Sequence, residues 1–595
     1  MGRSSPGGLG ARFGVGPWTV QTDACCLSDG PRTVHVRPLV MDLLTLLAAH
    51  AGDVISKYEL LDQVWHGRFV GESSLSKAVS ELRVSLGDVD RPARFIETVS
   101  KRGYRLVAPV WPCPSSSHPR VAVLPFDTLS RDAADDEFAE GLLDTIITEL
   151  SRVPGLRVIS RQSVRHLKGS SRSLLDIGAE LHVGAVVAGT VLRDGERVKV
   201  TAGLIELDPD ERQVWGETYE DAAKPLSRAH RHIAASVADA VRAALQPGAP
   251  PPSAHVDLVD PVAHLALVKA RRVMNTATRD TLQAGIRHLQ QAIEADPSYA
   301  PAHESMATCL AALGFWGHAP GSEVFPRARE AATIALSLDR SLSHGHVALA
   351  FARWLHEWEF DGAEEEFLHA IHLNPSSELA RTSYGLFLLT VRADRVSALQ
   401  HAEAACAVDP LSEMTLSTTG WLYLLAGERL RAEQQAEATL QRHPNSVLAR
   451  YVRGWLLGAD ERWGDAVDLF AEARGLAADA VSIGFLAHAL GRAGRVGPAT
   501  TALTELAARR EREHVPACAL ALVEAGLGHV DRAFQWLDLS CEARESRLFW
   551  FGLLPAADPL RDDPRFAALA ARLGIPLPAH LPWVGNLGAS GGTRA

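Results

Sequence analysis

Between residues 72 and 86, apolar side chains fall at Leu75, Val79, Leu82 and Leu86. That spacing of three to four residues predicts a helix with one narrow apolar stripe. Its other side holds Ser73, Lys77, Ser80, Glu81 and Val84, with Ser76 beside them and Arg83 at the flank. Upstream, Leu43, Leu44, Leu46 and Leu47 predict a helix over Leu39–Ala49. Ser56-Lys-Tyr-Glu59 has the form of a capping box, with Ser56 as N-cap, and opens a third amphipathic helix through Leu60, Leu61, Val64 and Trp65. Downstream, Phe95–Val99 and Tyr104–Val107 are β-rich runs joined by a turn containing Gly103, a hairpin pattern. Trp18, Val20, Val34 and Val36 suggest a sheet ahead of the helices. Three helices followed by a hairpin predict a winged helix, whose helix 72–86 would lie in a DNA major groove. A solvated surface helix is the plainer alternative for that segment taken by itself.

The pattern changes after residue 120. Val121–Phe126 reads as a buried strand, Phe138–Leu150 as an amphipathic helix and Leu156–Ser160 as a second strand. Leu174–Leu181 reads as a helix. Gly184–Leu192 and Val198–Leu207 read as strands turned by Asp194-Gly195, a tight-hairpin signal. Val214–Tyr219 adds a strand and a helix to about Leu245 closes the unit, so an α/β domain is expected.

Beyond the proline-rich stretch that starts at Gln246-Pro247 the chain is helical and periodic. Pro375, Pro410 and Pro444 are spaced 35 and 34 apart, and Pro297 sits in a similar Asp-Pro pair. Gly385, Gly420 and Gly454 follow the first three by ten residues, and Ala363, Ala398 and Ala432 precede them by twelve. Small residues at fixed offsets, where paired helices approach closely, mark tetratricopeptide repeats. Ala466 extends the pattern toward Ala478. Stacked pairs of this kind form a superhelix with a concave surface. Trp354, Trp421, Trp455 and Trp463 are candidate contacts for a peptide there; packing between helices is the plainer reading.

Several linked segments carry a family resemblance: Leu60-Leu-Asp-Gln-Val-Trp65, Leu82-Arg-Val-Ser-Leu-Gly-Asp88 and Ile96-Glu-Thr-Val-Ser-Lys-Arg-Gly-Tyr-Arg105. Over roughly residues 12–108 the chain resembles the effector domain of OmpR/PhoB-type response regulators, and more closely the CadC/ToxR-like group. The resemblance implies DNA binding through Ser73, Ser76, Lys77, Ser80, Glu81, Arg83, Val84, Lys101, Arg102 and Tyr104. It also implies that the loop with His66, Gly67, Arg68 and Phe69 contacts RNA polymerase. With no receiver domain ahead of the winged helix, aspartyl phosphorylation is not the expected trigger. The middle segment resembles TolB amino-terminal-like domains through Val121-Ala-Val-Leu-Pro-Phe126, Phe138-Ala-Glu-Gly-Leu142, Leu150–Ser160 and Gly189-Thr190. Such domains also occur in some adenylate cyclases. No cyclase catalytic domain is recognised here, and a structural or dimerising role is expected for this segment.

Composition bears on partners. The net charge is −11, yet residues 1–110 hold 13 Lys/Arg against 11 Asp/Glu. Arg91, Arg94, Lys101, Arg102 and Arg105 gather at the hairpin, so DNA contact is expected from the N-terminal domain alone. Seven scattered cysteines without a C-x-x-C pair suggest neither a zinc site nor a disulfide framework. No lysine follows a glycine, which excludes a Walker A loop, and His303-Glu304 and His356-Glu357 lack a zincin's second histidine. Gly588-Ala-Ser-Gly-Gly592 has no strand before it and reads as a chance match. No apolar run reaches the ~18 residues of a spanning helix, and Trp111–Pro119 is polar where some CadC/ToxR-like regulators carry one.

These observations predict a multidomain α+β protein: a winged helix-turn-helix over 12–108, a linker at 111–119 and an α/β domain over 120–247. A proline-rich linker at 248–257, an all-α tetratricopeptide superhelix over 258–573 and a tail at 574–595 complete it. The expected function is cytoplasmic, soluble one-component transcription regulation without enzymatic activity, metal or cofactor. DNA, RNA polymerase, an effector at the repeats and a second copy on adjacent half-sites are the expected partners; no membrane is. The rival is a repeat scaffold whose winged helix mediates protein contacts, favoured by Glu81 and the modest positive balance.

Overall fold

A computed structural model describes residues 12–16, 18–21, 26–28, 33–65, 72–88, 94–100, 102–108, 110–111, 120–128, 133–151, 153, 156–170, 172–194, 197–207, 210–222, 226–245, 260–274 and 277–576. The chain divides into two compact units, residues 1–117 and 118–595.

The first unit begins with strands β1 (Arg12–Val15), β2 (Trp18–Gln21), β3 (Cys26–Ser28) and β4 (Thr33–His35). They form an antiparallel meander whose free edge is joined by β8 (Val110–Trp111), in the order β4-β3-β2-β1-β8. Helices α1 (Pro38–Ala49), α2 (Lys57–Trp65) and α3 (Glu72–Leu86) follow, with the short β5 (Ile55–Ser56) between the first two. A second sheet, β5-β7-β6, is closed by the hairpin of β6 (Ile96–Val99) and β7 (Gly103–Leu106). One core serves all of these elements: Trp18, Leu43, Leu47, Leu60, Leu75, Val79, Leu82, Ile96 and Leu106 are buried together. Pro38 opens α1, where its missing N–H costs nothing. The Ser56 hydroxyl accepts the Glu59 amide at 3.2 Å, the capping contact expected for α2.

The second unit opens with β9 (Arg120–Val123), β10 (Asp127–Thr128), α4 (Ala133–Ser151), β11 (Arg157–Val158), α5 (Arg161–Val164), α6 (Leu174–Leu181), β12 (Ala185–Asp194), β13 (Arg197–Glu206), β14 (Arg212–Ala222) and α7 (Leu226–Leu245). Its mixed sheet runs β11-β9-β12-β13-β14, parallel as far as β12 and antiparallel beyond. The last pair in the β12–β13 register is Asp194 opposite Arg197, so Asp194 ends the strand.

From Pro261 onward the unit is helical. The 34-residue period corresponds to helix pairs such as Glu378–Phe387 with Arg395–Val408, Glu413–Leu425 with Arg429–Arg442, and Val447–Ala459 with Trp463–Leu476. Ala363, Ala398, Ala432 and Ala466 are completely buried. A Cβ at Gly454 would stand 2.6 Å from the Phe470 ring, and one at Gly385 would be 3.0 Å from the Ala398 carbonyl. At Gly420 the nearest atom would be 3.5 Å away, so that glycine is not demanded by packing. Three residues beyond each turn's opening residue stands a serine cap: Ser377, Ser412 and Ser446 each accept the amide three positions on. The four tryptophans are buried in helix packing, with Trp455 completely covered among Trp463, Phe470 and Phe485.

Two features were not foreseen from periodicity. The repeat array returns on itself: Ser546 donates to the Phe315 carbonyl at 3.0 Å, while Trp550 packs on Phe315 and Phe549 on Trp354. The Asp409–Ser412 turn also enters the sheet domain. Asp409 accepts hydrogen bonds from Ser160 (2.6 Å) and Ser163, and Leu411 is buried in the core beneath α4 and the sheet. Cys309, Cys518 and Cys541 are buried free thiols and Cys406 is half-buried. Among the described residues no helix is long and apolar enough to cross a membrane.

Candidate nucleic-acid interface

Helix α3 divides as its periodicity predicts. Leu75, Ala78, Val79, Leu82 and Leu86 face the core. Ser76, Lys77, Ser80 and Val84 are exposed. Val84 stands 67% exposed, although a β-branched residue gains nothing in helix propensity there. The backbone of Ser73 lies in the first turn of α3, and its side chain lies outside the described residues.

Both ends of the C-terminal turn of α3 are tied down. The Trp18 indole N–H donates to the Leu86 carbonyl at 3.1 Å, satisfying one of the acceptors a helix end leaves open. Gly87 follows with φ +71°, where an αL residue suits a glycine. Asp88 is then buried, and its carboxylate accepts the backbone amides of Arg94 (2.7 Å), Phe95 (3.1 Å) and Ile96 (2.8 Å). Charge-assisted bonds to three successive amides fix the start of the hairpin relative to the helix.

The wing depends on Gly103. Its φ is +151°, and a Cβ there would lie 1.9 Å from the Ile55 carbonyl oxygen. Only glycine lets β7 pair with β5 at Ser56 opposite Gly103. Arg102 is exposed at the turn, where its amide donates to Val99 at 3.0 Å. Lys101 and the loop His66, Gly67, Arg68 and Phe69 lie outside the described residues. Arg105 is bound to Glu97 across the hairpin at 2.5 Å.

Three residues expected at the interface have other partners. Arg83 donates through Nε (3.2 Å) and Nη2 (2.7 Å) to the Ile96 carbonyl and through Nη2 to Thr98 at 2.8 Å. It joins α3 to β6, although the family resemblance implies a DNA contact for it. Tyr104 is 6% exposed and belongs to the core, because strand alternation turns it inward opposite Ile55. Glu81 is held by Arg37, whose Nε donates to it at 2.9 Å. That hydrogen bond holds the Glu81 carboxyl below the ordinary carboxylate range. Arg37, the residue before α1, is 44 positions away, and no local spacing in the sequence connects the two.

What the geometry leaves outward is therefore a small, uncrowded face of α3 and a cationic turn beside it. Lys77 and Arg102 form no ion pair among the described residues. No group of His, Cys, Asp or Glu able to hold a metal occurs among the described residues.

This three-helix unit with its wing matches, over residues 31–106, the family model described as "Transcriptional regulatory protein, C terminal". The N-terminal unit is a winged helix-turn-helix of the OmpR/PhoB type. Relatives are similar over different lengths of the chain. Putative adenylate cyclase 3 of Rhizobium meliloti is 31% identical over 237 residues, 39% of this chain and 40% of its own length. Transcriptional regulator HilA of Salmonella typhimurium is 23% identical over 403 residues, 66% of this chain and 69% of its own. Transcriptional activator CadC of Escherichia coli is 40% identical over 97 residues, 16% of this chain and 19% of its own. The chain thus spans well under half the length of the cyclase and a fifth or less of CadC.

Proposed function

We propose that the protein is a DNA-binding transcriptional regulator in which α3 enters a major groove and the wing turn contacts the flanking backbone. The observation that carries this reading is the outward face of α3, where Lys77 stands among small polar residues while the Glu81 carboxylate beside it is paired with Arg37. Glu81 and the modest positive balance favour a protein-binding winged helix; the pairing of Glu81 with Arg37 weakens the first of these.

In this reading Ser76, Lys77, Ser80 and Val84 approach base edges, and Ser73 joins them from the first turn. Arg102 and Lys101 reach phosphate or the minor groove. Arg83, Glu81 and Tyr104 shape the interface from behind. The loop His66–Phe69 touches RNA polymerase, a role that rests on family resemblance. The helical repeats take up an effector, a protein or small molecule. Two copies bind adjacent half-sites, since one winged helix buries little surface. Regulation without catalysis and a cytoplasmic location complete the reading.

The test is a gel-shift titration of the full chain against genomic fragments at moderate salt. Replacing Lys77 and Arg102 together by alanine is expected to weaken binding at least tenfold. Unchanged affinity would remove both residues from the interface.

A further inference from the structure

Of the residues on the outward face of α3, only Val84 cannot form a side-chain hydrogen bond. It lies almost in line with Lys77, two turns further along the helix and on the same side. Nothing in the fold covers it: it is 67% exposed while Leu75, Val79, Leu82 and Leu86 are at most 2% exposed. An isolated exposed valine is ordinary on a protein surface. Here, however, the two residues that would otherwise crowd it are withdrawn. Glu81, one turn before, is drawn aside by Arg37, and Arg83, its neighbour, is turned to the Ile96 carbonyl. The isopropyl group is left as the one apolar projection on this polar face, in the last turn of α3.

We propose that Val84 is a specificity-determining residue that reads the C5-methyl group of a thymine. This rests on the placement of α3 in a major groove argued above and adds to it a sequence preference. A major-groove floor offers four kinds of hydrogen-bonding edge and a single apolar group, the thymine methyl. A valine pressed against any other base would desolvate a donor or acceptor without replacing its hydrogen bond. Lys77, as a donor, suits the O6 and N7 acceptors of guanine. Seven residues of helix separate the two positions, about 10.5 Å at ~1.5 Å per residue. That distance corresponds to about three steps of ~3.4 Å along the duplex. The half-site is therefore expected to hold a guanine and a thymine about three steps apart.

The experiment selects bound sequences from a random duplex library with the full chain, with Val84→Ala and with Lys77→Ala. The wild-type chain is expected to enrich a motif in which Val84→Ala loses preference at one thymine and Lys77→Ala at a guanine about three steps away. Deoxyuridine in place of that thymine, which deletes only the methyl, is expected to weaken wild-type binding about fourfold, the worth of one buried methyl. It should leave Val84→Ala unaffected. Identical motifs from wild type and Val84→Ala, or no response to deoxyuridine in the wild type, would overturn the inference. Salt-sensitive binding without any enriched motif would overturn it as well while leaving DNA binding intact. Failure to bind any duplex would remove the underlying reading itself.

Discussion

Arg83 on α3 and Ile96 on β6 are joined by a forked hydrogen bond, the guanidinium donating to the carbonyl through Nε at 3.2 Å and Nη2 at 2.7 Å. The bond ties α3 to β6, the strand that leads into the wing turn at Arg102. Substituting Arg83 by methionine keeps the aliphatic stem and removes the fork. Amide exchange across residues 95–106 of the full chain should rise about tenfold, in line with the loss of a charge-assisted bond of ~1.5 kcal/mol. Unaltered exchange would show that the bond does not restrain the hairpin.

Gly103 should tolerate no substitution. Alanine there would meet the Ile55 carbonyl and a backbone angle that favours glycine. The strand pairing of β5 with β7 has to open, and DNA affinity should fall by more than tenfold with α1 to α3 still folded. Circular dichroism and duplex titration of Gly103→Ala, made in parallel, check this.

Arg37 and Glu81 should act as a pair. Arg37→Ala leaves an unneutralised carboxylate on α3 and should weaken duplex binding about threefold to tenfold. Replacing both residues, Arg37→Ala with Glu81→Gln, should recover much of that loss. If the two single variants simply add, Arg37 acts on DNA directly and not through Glu81.

The repeat unit should be acid-sensitive. His488 is buried between Trp455 and Trp463, where its Nδ1 pairs with the Leu522 carbonyl at 2.9 Å, and burial pushes its imidazole down to about 4. His401 and His514 are pushed down to about 4 for the same reason. Each is neutral in the fold and takes up a proton on unfolding below ~6.5. Their contribution is thus fully present above ~6.5 and is lost as pH falls toward 4. Thermal midpoints between pH 7 and pH 4.5 should decline, and less steeply in His488→Asn, which keeps a donor but does not titrate.

How much of this was visible beforehand depended on whether the responsible interaction was local. The stripe Leu75, Val79, Leu82 and Leu86, the cap at Ser56 and the 34-residue spacing of prolines are short-range signals, and the elements they predicted are present. The outward face of α3 followed from the same periodicity. Tyr104, for which the resemblance implies a DNA contact, is 6% exposed, because strand alternation sends every second residue of the hairpin inward. The partners of Arg83 and Glu81, Ile96 and Arg37, come from other elements, and a polar side chain's engagement cannot be seen from its own helix. The entry of Leu411 into the sheet domain and the return of Ser546 to Phe315 span 230 residues or more in relation to their partners, beyond any periodic pattern.

Salt dependence of duplex binding by the full chain tests the central claim most directly. If α3 and the wing grip DNA, the logarithm of affinity should fall linearly with the logarithm of salt concentration, and the slope should flatten by about one unit when Arg102 becomes alanine. Binding that is flat with salt, or a slope indifferent to Arg102, would contradict the account.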